Sequence, residues 1–452
     1  MRFLKITLKV LAGLALFILL IVLATVTTLD YTPYQNMDYY REWKQNIAAV
    51  RVATDTTGQA LTAGWAKVNF TPDRPVPMAG YGNRRGRSYE SVHDSVYVRA
   101  VAFNNGRSEA VMVVADLLII PPTVTEALKA RLPGLGLTFD QVYLSATHSH
   151  SSVGGWGDTI TGELFAGEFD PALVARITDA MVRAIRQARQ NRQAVTVGYT
   201  EVRDTADIKN RLRGLTGTTV DPWVRLITLR AADQQTALLA TYSAHATVLD
   251  SRTYVLSRDY AGALVDSLED GEADFAMYLA GAVGSMGPMA EGDTEFERVG
   301  QLADGVEAAI QSRLDAVQPA PTSLLGSFTV EVPMRAPSPR LNQTFALRSW
   351  VFRWIFGDYP AFVKVLRVGD IVMVGLPCDF SGELMAELSK YAASKGLKLM
   401  ITSFNGAYAG YITDDRHFDK DQYETITMSW FGPYNGAYFQ EVVKDVIDKI
   451  DA

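Results

Sequence analysis

Cysteine is nearly absent. The single residue, Cys378, excludes an internal disulfide, so stability must come from a buried core. Histidine is also scarce, with five in 452 residues. Basic residues do not outnumber acidic ones: 43 Lys and Arg face 50 Asp and Glu, a net charge of −7. No Lys/Arg stripe suggests a nucleic-acid partner. No internal repeat or low-complexity tract exists, which excludes a solenoid, and nothing points to an obligate protein partner. Apolar residues are abundant, at 48% against 21% charged. That balance fits a chain with a sizeable core, and the length allows one large domain or two to three ordinary ones.

The first thirty residues contain a charge-free run from Val10 to Val26, preceded by Arg2, Lys5 and Lys9. A bilayer core needs ~20 apolar residues, so this run and its flanks can span. Basic residues on the N-terminal side predict an N-in signal anchor over 1–30. The remainder then lies on the extracytoplasmic, periplasmic or extracellular, side. A cleaved signal peptide is the rival reading, although Leu23-Ala24-Thr25-Val26 offers no clean small-x-small site. Residues 31–60 read as a juxtamembrane segment with a short helix. Its Tyr31, Tyr34, Tyr39, Tyr40 and Trp43 suit an interfacial belt.

From residue 61 to 452 the pattern is one continuous domain. Strand-like runs occupy 96–103, 109–120, 141–147, 194–202, 223–229, 236–245, 275–284, 362–368 and 370–377. Helix-like segments fall at 122–132, 171–191, 260–270, 294–315, 381–394 and 437–450. Asp170-Pro171 is an N-cap and N1 pair, and Asn104-Asn105-Gly106 marks a hairpin. Strands alternating with helices, with hairpins among them, predict a layered α/β fold with a mixed sheet and flanking helices. The stretch 335–340 (RAPSPR) reads as an exposed connection, because Pro337 and Pro339 break regular structure.

Chemistry concentrates at strand ends. ATHSHS (146–151) follows an apolar run and precedes Gly154-Gly155. On a strand, His148 and His150 at i, i+2 would point the same way. His245 ends a second apolar run, and Pro377-Cys378-Asp379 a third. Two imidazoles and a carboxylate beyond strand ends make a hydrolytic zinc composition.

Several ordered motifs resemble the neutral/alkaline ceramidases over roughly residues 60–445. These are GWAKVNFTP (64–72), MAGYGN (78–83), ATHSHSSVGG (146–155), SRDYAG (257–262), LPCDF (376–380), GAYAGYIT (406–413) and YETITMSWFGP (423–433). The resemblance implies Zn2+ held by His148, His245, Asp379 and Tyr411. It implies His150 as a neighbouring transition-state histidine, Tyr423 as a substrate-facing hydroxyl and Arg211 as an active-site arginine. It also implies cleavage of an N-acyl amide of a lipid-like substrate by metal-activated water. An esterase on the same scaffold, or a catalytically impaired lipid- or envelope-binding relative, are the other readings.

Three departures stand out. Asp379 replaces the family's glutamate, Gly287 falls where the family has its active-site serine, and the sequence to Ala452 leaves no room for the family's C-terminal β-sandwich. Ser285 lies two positions from Gly287 and reads as a loop residue. The missing serine predicts poor ceramide turnover relative to simpler N-acyl amides.

Other residues keep structural readings. Asp379 alone suits an N-cap of helix 381–394 as well as a ligand, with Glu383 in reserve. Asp116 reads as a strand-end turn former, His93 and His417 as exposed or polar-network residues, and Cys378 as a small buried hydrophobe. The segment 347–362 reads either as an amphipathic core helix or as a Trp- and Arg-rich element that rims the site and meets the membrane.

Overall fold

Along the strand Glu109–Ala115, Val111, Val113 and Ala115 face one way and Ala110, Met112 and Val114 the other; both sets are buried. A strand with no solvated face reads as a nearly continuous apolar run, which is why these segments show little alternation. The structure, a computed structural model, describes residues 2–52, 58–212 and 219–451.

Two sheets account for the pattern. The larger has eight strands in the spatial order Phe275–Ala280, Thr236–Tyr242, Trp223–Ala231, Gln193–Arg203, Thr62–Asn69, Tyr97–Asn104, Glu109–Ala115, Val142–Ala146. It is mixed, parallel at both outer pairs and antiparallel between. The smaller runs Leu325–Glu331, Phe362–Val368, Ile371–Gly375, Lys398–Thr402, with only its last pair parallel.

The sheets pack face to face through one core, where Met112, Met277 and Leu279 meet Leu366, Met373 and Met400. The helices are α1 (Arg2–Thr25), α2 (Asp38–Ala49), α3 (Pro122–Arg131), α4 (Ile160–Ala166), α5 (Pro171–Gln190), α6 (Asp259–Gly271), α7 (Glu295–Leu314), α8 (Ser349–Phe356), α9 (Met385–Ser394) and α10 (Asn435–Asp451). Helices α3, α5, α6 and α7 cover the outer face of the large sheet, and α2, α9 and α10 that of the small one. The result is four layers, α/β/β/α.

Local signals place the helices. Asp170 accepts from Ala172 N at 2.8 Å, and Pro171 begins α5. Leu173, Ile177, Met181 and Ile185 then recur every four residues on its buried face. Thr294 and Glu297 form a capping box at the start of α7.

Two expectations are corrected. Tyr34, Tyr39 and Trp43 do not form an interfacial belt; they are buried against Tyr438 and Phe439 of α10. Tyr34 Oη donates to Glu441 and Trp43 Nε1 to Asp445, while the Tyr39 hydroxyl is buried without a hydrogen-bond partner. The stretch 335–340 is not an exposed connection either. Arg335 is buried and bonds Asp30 and the Thr32 carbonyl, while buried Arg340 bonds the carbonyls of Phe418 and Thr425. The prolines break regular structure there, but the arginines tie the segment down.

Helix α1 is long and apolar enough to cross a membrane from Phe3 to Thr25, and none of it is buried. It runs into Val26–Thr28, which pairs with Phe345–Leu347.

Candidate metal centre

The two sheets are joined where their strands end. Ser403, just past Lys398–Thr402, donates through its amide to Ala280 O and through its hydroxyl to Gly281 O, and accepts from Ser145 Oγ. Loops leaving these ends carry the site. His148 and His150 follow Val142–Ala146, His245 follows Thr236–Tyr242, and Asp379 follows Ile371–Gly375. Asp379–Phe380 pairs in parallel with Tyr411–Ile412, which sets Asp379 beside Tyr411.

The i, i+2 reasoning for His148 and His150 is corrected in its cause. The strand stops at Ala146, and His148 adopts a left-handed φ of 63°. Such a conformation is costly for a residue with a Cβ and marks functional sites. The imidazoles converge because the loop turns, not because a strand alternates. Gly80, at φ 130°, allows this turn, since a Cβ there would lie 2.7 Å from the His150 carbonyl oxygen. Arg84 is buried beneath it and bonds the His150 carbonyl and those of Ser251, Asp250 and Thr253.

Hydrogen bonds then fix the tautomers. His148 Nδ1 lies 2.6 Å from Leu118 O, and His245 Nδ1 lies 3.1 Å from Val283 O. A carbonyl oxygen only accepts, so each Nδ1 carries the proton and each Nε2 a lone pair. These Nε2 atoms are 2.7 Å apart. Burial lowers both imidazoles, His148 to about 3, so neither Nε2 gains a proton near neutral pH. Asp379 Oδ1 lies 3.5 Å from His148 Nε2 and 3.8 Å from His245 Nε2 and has no hydrogen-bond partner.

Two facing lone pairs and an orphaned carboxylate oxygen, all buried, repel each other unless a cation sits among them. The donor set fits a divalent metal of nitrogen and oxygen preference. His148, His150 and His245 together form a group able to hold a metal ion.

His150 differs from the other two. Its Nε2 is 3.2 Å from His148 Nε2, but its Nδ1 is buried with no partner, so no backbone carbonyl fixes its tautomer. Its ring leans on Tyr81.

The other expected residues are also brought together. Tyr411 is buried, with its ring nearly parallel to that of His245. Arg211 Nη2 donates to Tyr411 Oη at 3.1 Å and to Gly284 O at 3.0 Å, and its Nε lies 3.2 Å from Glu424 Oε1. Burial opposes the arginine's charge, but Tyr411 and Glu424 outweigh it and keep the guanidinium charged. Tyr423 sits edge-on to Tyr411 in a single π-helical turn, Tyr423–Thr427, and is 47% exposed. Such turns recur at functional sites. Burial pushes Asp379 up to about 7, against the pull of Tyr408 and Arg211.

The structural readings are resolved as well. Asp379 caps no helix, because Ser381 takes that role by accepting from Glu383 N. Glu383 is not a reserve ligand; it faces buried His417 at 3.2 Å. Asp116 accepts from Tyr97 N at its strand end. His93 is half-exposed and stacks on Phe296, and Cys378 is fully buried, which pushes its thiol up.

Sequence reading missed Tyr408, whose hydroxyl donates to Asp379 Oδ2 at 2.7 Å. The signal was present, three residues before Tyr411 in GAYAGYIT. It also missed Glu424, adjacent to Tyr423, and Phe404, whose ring stacks on His148 at 4.0 Å.

The site opens into a cavity of about 410 Å³ lined by His148, His150, Asp379, Tyr411 and Tyr423. The larger part of its wall is apolar, including Trp156, Phe165, Phe352, Phe356 and Trp430, with charged residues such as Asp158 and Arg335 also lining it.

The chain is similar to known proteins of one family in sequence and in fold. Residues 62–308 match the model of the family described as neutral/alkaline non-lysosomal ceramidase, N-terminal. A neutral ceramidase of Mycobacterium tuberculosis is 23% identical over 48% of this chain, which spans 34% of that protein's length. A neutral ceramidase of Pseudomonas aeruginosa is 23% identical over 85% of this chain and 71% of its own. The crystal structure of neutral ceramidase from Pseudomonas aeruginosa superposes with a TM-score of 0.75 at 18% identity, covering 86% of this chain and 74% of that one. A structure described as ceramidase complexed with C2 gives a TM-score of 0.78 at 16% identity, covering 86% and 75%. The family match spans more than half of the chain, and the chain belongs to the neutral/alkaline non-lysosomal ceramidase family through that family's N-terminal region.

Proposed function

We propose that this chain is a membrane-anchored, zinc-dependent amidohydrolase that cleaves an N-acyl amide of a lipid-like substrate. The observation that carries the reading is the His148–His245 Nε2 pair, 2.7 Å apart, facing the unpartnered Asp379 Oδ1 at one end of an apolar cavity. His148, His245, Asp379 and Tyr411 would hold the zinc. A bound zinc would polarise an acyl carbonyl and lower the pKa of water to about 7.

The protein groups divide the remaining work. The C–N bond breaks, the acyl carbon takes the oxygen of water, and the leaving nitrogen gains a proton. His150 has a ring nitrogen with no hydrogen-bond partner, which leaves it available to pass that proton. Arg211 brings fixed positive charge beside Tyr411, where negative charge on oxygen is stabilised. Tyr423, exposed to the cavity, donates to a substrate oxygen. The apolar walls take the acyl chain and exclude water. Helix α1 serves as the anchor, with the catalytic domain on the extracytoplasmic side.

The test is a panel of N-acyl amides, ceramide among them, run on wild type and His150→Ala. His150→Ala should keep its zinc and lose ~10²–10⁴-fold in turnover, the range for a positioned acid–base group. With Gly287 at the family's serine position, simpler amides should be cleaved faster than ceramide. Zinc loss in His150→Ala would move it into the ligand set. Absence of any amide turnover would refute the amidase reading.

A further inference from the structure

Outside α1, six of the large apolar side chains left in solvent among the described residues stand on three connected elements. Ile160 and Leu164 stand on α4, Leu341 and Phe345 on the segment leading into α8, and Trp350 and Trp354 on α8 itself; Trp354 is 69% exposed. Scattered exposed hydrophobes carry no message, but a contiguous group does. These elements are joined. Thr161 Oγ1 donates to Ile355 O at 3.1 Å, and Tyr359 Oη donates to Asp158 Oδ1 at 2.6 Å, closing the α4 and α8 arms on each other.

The group is also fastened to the end of α1. Val26–Thr28 pairs antiparallel with Phe345–Leu347, Arg348 N donates to Thr25 O at 2.8 Å, and Trp350 Nε1 donates to Ala24 O at 2.9 Å. At 1.5 Å per residue, the 23-residue stretch Phe3–Thr25 of α1 extends about 35 Å, enough to cross a hydrocarbon core of ~30 Å. A bilayer that holds α1 therefore places Ala24 and Thr25, and with them Trp350, at head-group depth. Exposed Arg348 and Arg353 flank the two tryptophans, the pairing that suits an interface. The inner faces of the same helices, through Phe165, Phe352 and Phe356, line the cavity that leads to the histidines.

We propose that α4 and α8 form a lipid-facing rim, seated in the surface of the bilayer that holds α1, and that the acyl chain enters the cavity sideways between them. The occupant is lipid rather than a second copy, because the patch is continuous with a helix whose whole length is unburied. The route for substrate rests on the amidase reading above; the membrane contact does not.

The test uses the full chain in phosphatidylcholine vesicles whose acyl chains carry bromine near the carbonyl end. Bromine should quench part of the tryptophan fluorescence, and Trp354→Phe should reduce that part to the share of Trp350. In the same vesicles, Trp354→Glu should lower turnover of a bilayer-embedded long-chain N-acyl amide about tenfold and leave a short, water-soluble one unchanged. Equal quenching in wild type and Trp354→Phe overturns the rim. An equal fall for both substrates overturns sideways entry. Quenching without turnover of either substrate by wild type refutes the amidase reading and leaves the rim standing.

Discussion

At the scale of single residues, Gly287 and Arg211 share a volume that only one side chain can fill. A Cβ on Gly287 would lie 2.9 Å from Arg211 Cγ and 3.1 Å from Cδ. The arginine stem fills the space beside Gly287 on its way to Tyr411. Gly287→Ser, the residue the family resemblance led us to expect, must push Arg211 aside. A displacement of about 1 Å at a catalytic group costs up to ~10²-fold. We expect kcat/KM on short N-acyl amides to fall by roughly 10–100-fold, with zinc content unchanged. Activity at or above wild type would mean that Arg211 does not need its present position.

The set around these residues was legible in sequence because His148, His245, Asp379 and Tyr411 sit in short ordered motifs. Tyr408 and Glu424 were not, since a tyrosine among twenty and a glutamate beside it acquire meaning only from what they touch. The left-handed backbone at His148 was also hidden, because nothing in a His-Ser-His string distinguishes a turn from a strand.

At the scale of elements, α2 is the clearest lesson. Its aromatic composition suits a membrane interface, yet Trp43 is fully buried and bonds Asp445 of α10 at 2.7 Å. Composition records amphipathic side chains but not which apolar surface they meet. Trp43→Ala should destabilise the domain by about 3–5 kcal/mol, as buried Trp truncations do. Chemical unfolding of detergent-purified protein measures this, and a loss under about 1 kcal/mol would return α2 to the periphery. The second sheet was half legible. Phe362–Val368 and Ile371–Gly375 read as strands, but Leu325–Glu331 contains Gly326 and Ser327, and Lys398–Thr402 has only three apolar residues in a row, so neither reached a strand pattern.

Strand ends also set a pH dependence. Burial lifts Asp116 to about 6, against the pull of Arg258 and Arg99. A raised carboxyl means that the native state holds the proton more tightly than the unfolded chain does. The stabilisation is complete below the unfolded value near 4 and is lost as pH rises through about 6. Relative to Asp116→Asn, wild-type stability should therefore drop by up to about 3 kcal/mol between pH 4 and pH 7. A difference that stays constant across that window would show that the buried carboxyl does not titrate in the folded state.

At the scale of the whole molecule, the two sheets meet through Ser145, Ser403 and Gly281, and each contributes donors just beyond that seam. His148 and His245 come from the large sheet, Asp379 from the small one. A metal held by all three links the sheets. Elsewhere the layers are held by close-packed apolar side chains, so the fold should survive removal of a metal. The cavity, the proposed rim and α1 lie in sequence from the histidines outward, an order that would suit a substrate with one end in lipid.

The central claim is that His148, His245, Asp379 and Tyr411 hold a zinc ion. Elemental analysis of purified full-length protein tests it most directly, on wild type, His148→Ala and His245→Ala. His245→Ala is included because its backbone does not share the left-handed conformation of residue 148. The account predicts stoichiometric zinc in wild type and loss of most of it in both variants, with the fold retained. Folded, active protein without metal, or variants that keep their full zinc, would contradict it.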